Sequence, residues 1–508
     1  MAYVGTILQE LLKINKRIRK RLVKYDTRLQ EKTLKKLLKK SQNTRMGKRY
    51  HFEEILSSDN VCKEFQKHVP IYDYDKLYRE FWVHTIKGKR NITWPGKFKY
   101  FALTSGTSGA ASKRVPVSVR QIKAVRKASV RQMLSIPDLN LPPEFYEKSV
   151  LMVGGSTDLI KTTTGYEGDL SGILQKNIPR WFDRFYKPGK RIAQIRDWNE
   201  KLDEMAKEAH KWDVGIICGV PAWIQMLFDR VIKHQKINHI HEIWPNLEIY
   251  IHGGVSFTPY RETFKKYLGH DIHYLDTYLA SEGFLALQSV ENKHGMQLIL
   301  DNWIFFEFVP FNDQNFDADG NIRPDAQALL LEEVQEGVDY AILISTCSGA
   351  WRYLIGDTVK FTKRDTFEMV ITGRTKHFLS LCGEHLSVDN MNMGIRRVAD
   401  ELGVEVNEYT VAGERWEASF RHHWYIGVEQ DVDAEKFKFK LDAVLAELND
   451  DYCTERKHAL KDPVLEVVPL DRFYAYMESK GKVGGSFKFP RVIKNTQWED
   501  WKNFLSVD

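Results

Sequence analysis

The stretch KYFALTSGTSGAASKRVPVSVRQIKAVRKASVRQML, residues 99–134, decides how this chain is read. An aromatic strand-forming run enters a segment crowded with Ser, Thr, Gly and Lys, VPV resumes extended structure, and an amphipathic helix follows. Glycines such as Gly106 let backbone N–H groups close on an anion. The hydroxyls of Thr104, Ser105, Thr107 and Ser108 donate further hydrogen bonds, and Lys113 adds a positive charge. This is the composition of a phosphate cradle. It is not a G-x-x-x-x-G-K-[ST] loop, because Gly106 and Gly109 are too close and Ser112 precedes the lysine. Ser118 with Gln121 reads as a capping box opening the helix.

Outward from this segment, apolar strand-like runs alternate with amphipathic stretches, the pattern of an α/β protein. The runs SVLMVGG (149–155), VGIICGVP (214–221), LEIYIHGG (247–254) and AILISTC (341–347) predict strands, several of them ending in glycine or proline. Ligands of open α/β sheets collect beyond the carboxyl ends of strands, so those loops are where chemistry is expected. A boundary is placed at residue 376. Residues 1–376 are read as a large domain of mixed sheets flanked by helices, and residues 377–508 as a small mobile α+β lid. The lid is drawn from helix-like SVDNMNMGIRRVADELG, strand-like NEYTVAGE and HHWYIGVEQ, and amphipathic DAEKFKFKLDAVLAELNDDY.

With 508 residues, 43% of them hydrophobic, the chain can bury several cores, and wholesale disorder is excluded. No run is long and apolar enough to span a bilayer, and the five scattered cysteines form no C-x-x-C pair, so a soluble cytoplasmic protein is expected. The net charge of +7 hides an asymmetry: residues 1–50 hold sixteen Lys and Arg against Glu10, Asp26 and Glu31. Within that arm Ile7, Leu11, Ile14, Ile18, Leu22, Tyr25 and Leu29 recur every three or four residues. This predicts a helix packing its stripe on the body with the basic side solvated. His239, His241, Glu242, His270 and His273 lack metal-ligand spacing and are read as structural or surface groups.

TSGTSGAASK resembles the Ser/Thr/Gly-rich phosphate loop of acyl-adenylate-forming enzymes, in particular the auxin-responsive acyl acid amido synthetases. Further motifs similar to that family's follow in order: HGGVSFTPYRE (252–262), YLDTYLASEG (274–283), RYLIGDTVKF (352–361), ITGRTKHFLSL (371–381) and GGSFKFPR (484–491). The resemblance implies an ATP- and Mg2+-dependent ligase that adenylates a small carboxylic acid and conjugates it to an amino acid, releasing pyrophosphate and AMP. It implies that residues 104–108 and Lys113 hold phosphates, that Gly253, Gly254, Val255 and Tyr278 border the adenine, and that Thr277, Leu279, Ala280 and Ser281 line nucleotide and acyl groups. It further implies Glu282 as the metal ligand, Asp357 and Arg374 on the ribose, Lys376 as a hinge and Lys488 as a mobile catalytic cation. Chemistry agrees residue by residue. Magnesium takes one or two carboxylates plus phosphate oxygens, a strand-end carboxylate can accept both ribose hydroxyls, and a carboxylate attacking an α-phosphate needs cations to screen the repulsion.

The chain departs from the plant pattern. Thr104 stands where serine is usual, and Ala110 and Ala111 replace glycine and acidic positions. Phosphate binding should survive, whereas a hormone substrate is not carried over. Two other readings share some of these features: an acyl-CoA synthetase, and a nucleic-acid or membrane binding protein on a non-catalytic adenylation scaffold. The preferred reading expects a monomer acting on small molecules, with neither nucleic acid nor membrane as partner.

Overall fold

The computed structural model describes residues 3–22, 26–104, 113–254, 257, 260–289, 295–317, 320–375, 379, 386, 388–416, 419–449, 452–453, 456, 460–481, 489–493 and 496–506. Ser105, Gly106, Thr107, Ser108, Val255, Lys376 and Lys488 therefore lie outside the described residues.

Six strands frame the site: β1 (Tyr100–Thr104), β2 (Lys113–Val117), β3 (Ile249–Gly253), β4 (His273–Ala280), β5 (Tyr353–Lys363) and β6 (Glu368–Arg374). The last four belong to an eleven-stranded sheet. One half is parallel: Tyr186–Lys187, Ser149–Met152, Val214–Cys218, β3 and β4 lie side by side in that order. Beyond β4 every pairing is antiparallel, through Gly283–Leu287, Met296–Leu298, β6, β5, Asp339–Thr346 and Ile304–Pro310. The predicted strands are all present, and the runs of Val214–Cys218 and β3 are buried almost throughout on both faces, as central parallel strands require. β1 and β2 pair antiparallel in a separate four-stranded sheet, with Thr104 opposite Lys113 at the mouth of the phosphate-loop segment.

Two cores flank the large sheet. Helix Arg28–Ser41 drives Leu34, Leu37 and Leu38 into the antiparallel half, where Phe52, Phe65 and Trp351 meet. Trp198, Trp223, Phe228 and Phe264 close over the parallel half against Tyr250. Glu307 and Arg352 are buried within the first core. Arg352 Nε lies 3.0 Å from Glu307 Oε1, while its Nη1 donates to the carbonyls of Gln66 (2.8 Å) and Val69 (2.7 Å), tying helix Val61–His68 to the sheet.

Lys201 is buried on helix Trp198–Glu208 and donates to Gly154 O (2.8 Å) and Gly155 O (3.1 Å), holding the VGG turn that follows strand Ser149–Met152. Burial pulls its ammonium down from the ordinary 10.5 to about 8. Between those values the unfolded chain binds the extra proton, so stability is expected to rise with pH from about 8 to about 10.5, by at most about 3 kcal/mol. Urea denaturation across that window should show the rise, and Lys201→Met should flatten it.

Residues 408–493 build a third sheet, Val464–Pro469, Ser419–Val428, Glu408–Trp416 and Val492–Ile493. Helices Val388–Leu402 and Ala434–Leu448 cover it with a core of their own. It meets the rest of the chain where Tyr260 Oη donates to Glu408 Oε1 (2.8 Å), the Thr263 hydroxyl donates to Asn407 Oδ1 (2.8 Å), and Lys266 pairs with Glu405.

Two expectations need correction. Helix α1 (Tyr3–Leu22) does form, but Ile7, Leu11 and Ile14 do not pack on the body: they are 57%, 49% and 48% exposed. The helix instead docks through Gly5, whose N–H donates to Glu147 Oε1 at 2.7 Å, and Gln9, which donates to Leu141 O at 3.1 Å. A Cβ at position 5 would stand 2.0 Å from Pro143 O, so the bare glycine face sets this approach. Helix α2 (Val119–Met133) begins with only half a capping box. Ser118 Oγ accepts from Gln121 N–H at 3.0 Å, but the Gln121 side chain turns away to other partners.

Candidate functional site

The parallel half of the sheet ends at Gly253 on β3 and runs beside β4, so the HGG and TYLASEG motifs are neighbours by strand register: Gly253 pairs with Thr277 and His252 with Asp276. Thr277 Oγ1 donates to His252 O at 2.8 Å. A Cβ on Gly253 would lie 2.5 Å from both Thr277 O and Thr277 Oγ1, and Gly254 has φ +83°, where side chains are strained. The two glycines thus serve two needs, close approach and a left-handed turn. Gly253→Ala is expected to push the turn off Thr277 and weaken nucleotide binding about tenfold, readable by isothermal titration with AMP.

Across the sheet, β5 and β6 bring the ribose candidates together by direct register, Asp357 opposite Arg374. Arg374 Nε lies 2.9 Å from Asp357 Oδ1, and Arg374 Nη2 donates to Ile355 O at 3.2 Å. From β4, Tyr278 Oη donates to Asp357 Oδ2 at 2.6 Å. Among the described residues, Asp357 Oδ2 thus accepts from Tyr278 and Oδ1 is paired with Arg374, which leaves lone pairs on the carboxylate for hydroxyl donors. Gly356, at φ +90°, turns the backbone just before this carboxylate.

Glu282 sits in the turn between β4 and strand Gly283–Leu287, buried, and accepts a hydrogen bond from Tyr353 at the start of β5. Burial pushes its carboxyl up to about 7, with the Asp357 charge adding to the rise and Arg374 opposing it. The same charges act on Tyr278 and Tyr353, whose hydroxyls are held well above their ordinary range by burial and by Asp357 or Glu282. Tyr278, Glu282, Tyr353, Asp357 and Arg374 therefore form one electrostatic unit. Leu279 on the opposite face of β4 is 37% exposed, while Ala280 and Ser281 are half-buried. Within the described residues no cluster of three or more His, Cys, Asp or Glu could hold a metal by itself. Both ring nitrogens of His241 are used structurally, one accepting from Gly269 N–H and the other donating to Leu247 O.

The phosphate-loop segment is joined to this unit by residues the sequence did not single out for that purpose. Gln121 Nε2 donates to Ser281 O at 2.8 Å, and its Oε1 accepts from the Ser348 hydroxyl. Ser348 Oγ in turn accepts from Ser118 N–H at 2.9 Å. The start of α2, just after β2, is thereby bolted to the TYLASEG turn. Its sequence signal was taken for an ordinary capping box. Lys113 does not stand isolated in the cradle: its ammonium lies over the Tyr74 ring, 4.9 Å from the centroid. Lys480 pairs with Asp500, and Arg491 with Glu408. Tyr353 lies inside an apolar run, and only its partner across the sheet marks it as part of the site.

A half-parallel, half-antiparallel sheet with Tyr278, Glu282, Asp357 and Arg374 gathered on its strands defines the class: the fold is that of acyl-adenylate-forming enzymes. The chain superposes on the GH3.15 acyl acid amido synthetase with TM-score 0.75 at 15% identity, covering 100% of this chain and 96% of that one. A 2-hydroxyisobutyryl-CoA ligase in its postadenylation state follows at TM-score 0.59 and 13% identity, with 93% and 90% covered. The chain belongs to the GH3 family, matching its N-terminal domain over residues 16–167 and 156–272, its central domain over 297–373 and its C-terminal domain over 389–497. It is 24% identical to the jasmonoyl-L-amino acid synthetase GH3.5 of Oryza sativa subsp. japonica over 49% of this chain and 46% of that protein. It is likewise 24% identical to the indole-3-acetic acid-amido synthetase GH3.2 of Arabidopsis thaliana over 34% of each. In these matches the chain spans less than half the length of the curated relatives.

Proposed function

We propose that the protein is an ATP-dependent acyl acid amido synthetase, forming an acyl adenylate from a small carboxylic acid and passing the acyl group to an amino acid. The observation that carries this reading is the joining of Tyr278, Glu282, Asp357 and Arg374 from three separate motifs into one hydrogen-bonded and charged unit. Family membership supports it. Asp357, held by Tyr278 and Arg374, receives the ribose hydroxyls on its remaining lone pairs. The Gly253–Gly254 turn and the Tyr278 ring border the base. Thr277, Leu279, Ala280 and Ser281, which lie along β4 and the turn after it, are proposed to line the nucleotide and acyl groups.

The donor set fits magnesium. Glu282 is a buried carboxyl whose side-chain hydrogen-bond partner among the described residues is a neutral phenol, and burial raises its pKa despite Arg374, which suits a carboxylate to a cation. Magnesium bound with ATP would supply charge neutralisation of the phosphates. Residues 104–108 and Lys113 cradle the same phosphates, with Gln121 fixing the loop's exit against Ser281. Lys488, from the segment just before Phe489, is the cation proposed to reach the α-phosphate, carried by a lid of residues 377–508 hinged at Lys376. Closure of such a lid keeps water from the activated acyl group.

The test is a matrix of carboxylic acids against amino acids with ATP and Mg2+, read by product mass and pyrophosphate release. An N-acyl amino acid with AMP supports the reading. A thioester formed only with coenzyme A replaces the acceptor, and absence of any acyl adenylate across the matrix removes the proposal.

A further inference from the structure

We propose that helix α1 is an interfacial anchor that lays its outward stripe on an anionic lipid surface. The helix spends one face on the body: Gly5 meets Glu147 and Pro143, and Gln9 meets Leu141. At 100° per residue, Ile7, Leu11 and Ile14 fall on the far side, where they are half exposed. Ile18 and Leu22 continue the same spacing in the sequence. From Lys13 to Arg21 the helix adds six lysines and arginines and no acidic residue, against Glu10 alone within α1.

An aliphatic stripe with positive charge along its border, Arg17 and Arg21 at helical spacing, on a helix otherwise rich in lysine and arginine, is the pattern of a helix lying in the plane of a charged bilayer, where acyl chains take the stripe and headgroups take the cations. The helix does not cross the membrane: among the described residues no helix is long and apolar enough to do so. A second copy of the chain would set one cationic arm against another, which like-charge repulsion opposes. RNA would use the charge but would leave the aliphatic stripe in water. The lipid surface alone satisfies both features. The contacts of α1, Glu147, Pro143 and Leu141, include none of the proposed nucleotide-site residues, so the inference stands whatever the acyl and amine substrates prove to be.

The full-length protein is sedimented with phosphatidylcholine vesicles and with vesicles carrying about 30 mol % phosphatidylserine. Partition should favour the anionic vesicles at least tenfold and fall as salt rises. A variant carrying Ile7→Ser, Leu11→Ser and Ile14→Ser should lose at least tenfold in partition while keeping the parent melting temperature, because these side chains support no core. A second variant, Arg17→Glu with Arg21→Glu, whose positions border the stripe at helical spacing, should lose the preference for anionic lipid. Equal partition of parent and serine variant would overturn the proposal, as would equal partition to both vesicle types. So would binding of an RNA homopolymer that the serine variant retains in full while vesicles stay unbound, or stripe-dependent dimerisation without vesicle binding.

Discussion

Glu282→Ala is expected to lower adenylate formation by about 10²–10³-fold while leaving AMP binding nearly intact. The reason lies in how the site divides its work. Ribose contacts rest on Asp357, which Arg374 and Tyr278 hold from two other strands, and none of these bonds passes through Glu282. Glu282 is instead a buried carboxyl whose phenolic partner, Tyr353, offers no positive charge. Charge on a triphosphate and its metal must be matched in the transition state, and alanine removes the buried oxygen ligand placed to do so. The protein should remain folded, since alanine removes an ill-solvated carboxyl without leaving another charge unpaired. Pyrophosphate release measured against magnesium concentration, with AMP titration alongside, separates the two functions. Wild-type release would strip Glu282 of the metal role, and equal loss of AMP binding would make it part of nucleotide positioning. Tyr353→Phe, which removes only the phenol donor, should show the same pattern more weakly.

Arg352→Ala should destabilise the large domain by about 3–5 kcal/mol. The guanidinium satisfies Glu307 and two carbonyls in the last turn and C-cap of helix Val61–His68, all within the core around Trp351. Removing it leaves Glu307, 1% exposed, with only the amide of Gln66 as side-chain donor. An ion stranded in an apolar core costs far more than the pair itself contributes, so pairing Arg352→Met with Glu307→Leu should recover most of the loss. Urea midpoints of the two variants check this. Similar midpoints would mean that Glu307 finds other partners and that the ion pair does not fasten helix Val61–His68.

The strands of the parallel half were legible because local chemistry dictates them. Runs such as VGIIC and IYIHG are β-branched, uncharged and closed by glycine, and they fold as read. The role of Gln121 was not legible, because an N-terminal glutamine has a complete local explanation. Only a carbonyl 160 residues away shows where its amide goes. Of the N-terminal stripe Leu29 packs on the core, while the placing of Ile7, Leu11 and Ile14 failed for a related reason. Periodicity reveals that a helix has an apolar face but not which face a neighbour needs, and here a single glycine set the approach on the other side.

Sequence by itself determined the α/β alternation, the order of the motifs, the phosphate-binding composition and the charge excess of the first fifty residues, since each is a matter of residue type and spacing. Tertiary structure decided that Asp357 is shared between Tyr278 and Arg374, that Glu282 is buried beside Tyr353, and that α1 turns Ile7, Leu11 and Ile14 outward. These depend on strand register and on which surfaces approach one another, and burial and electrostatic coupling arise only once distant segments share a dielectric environment.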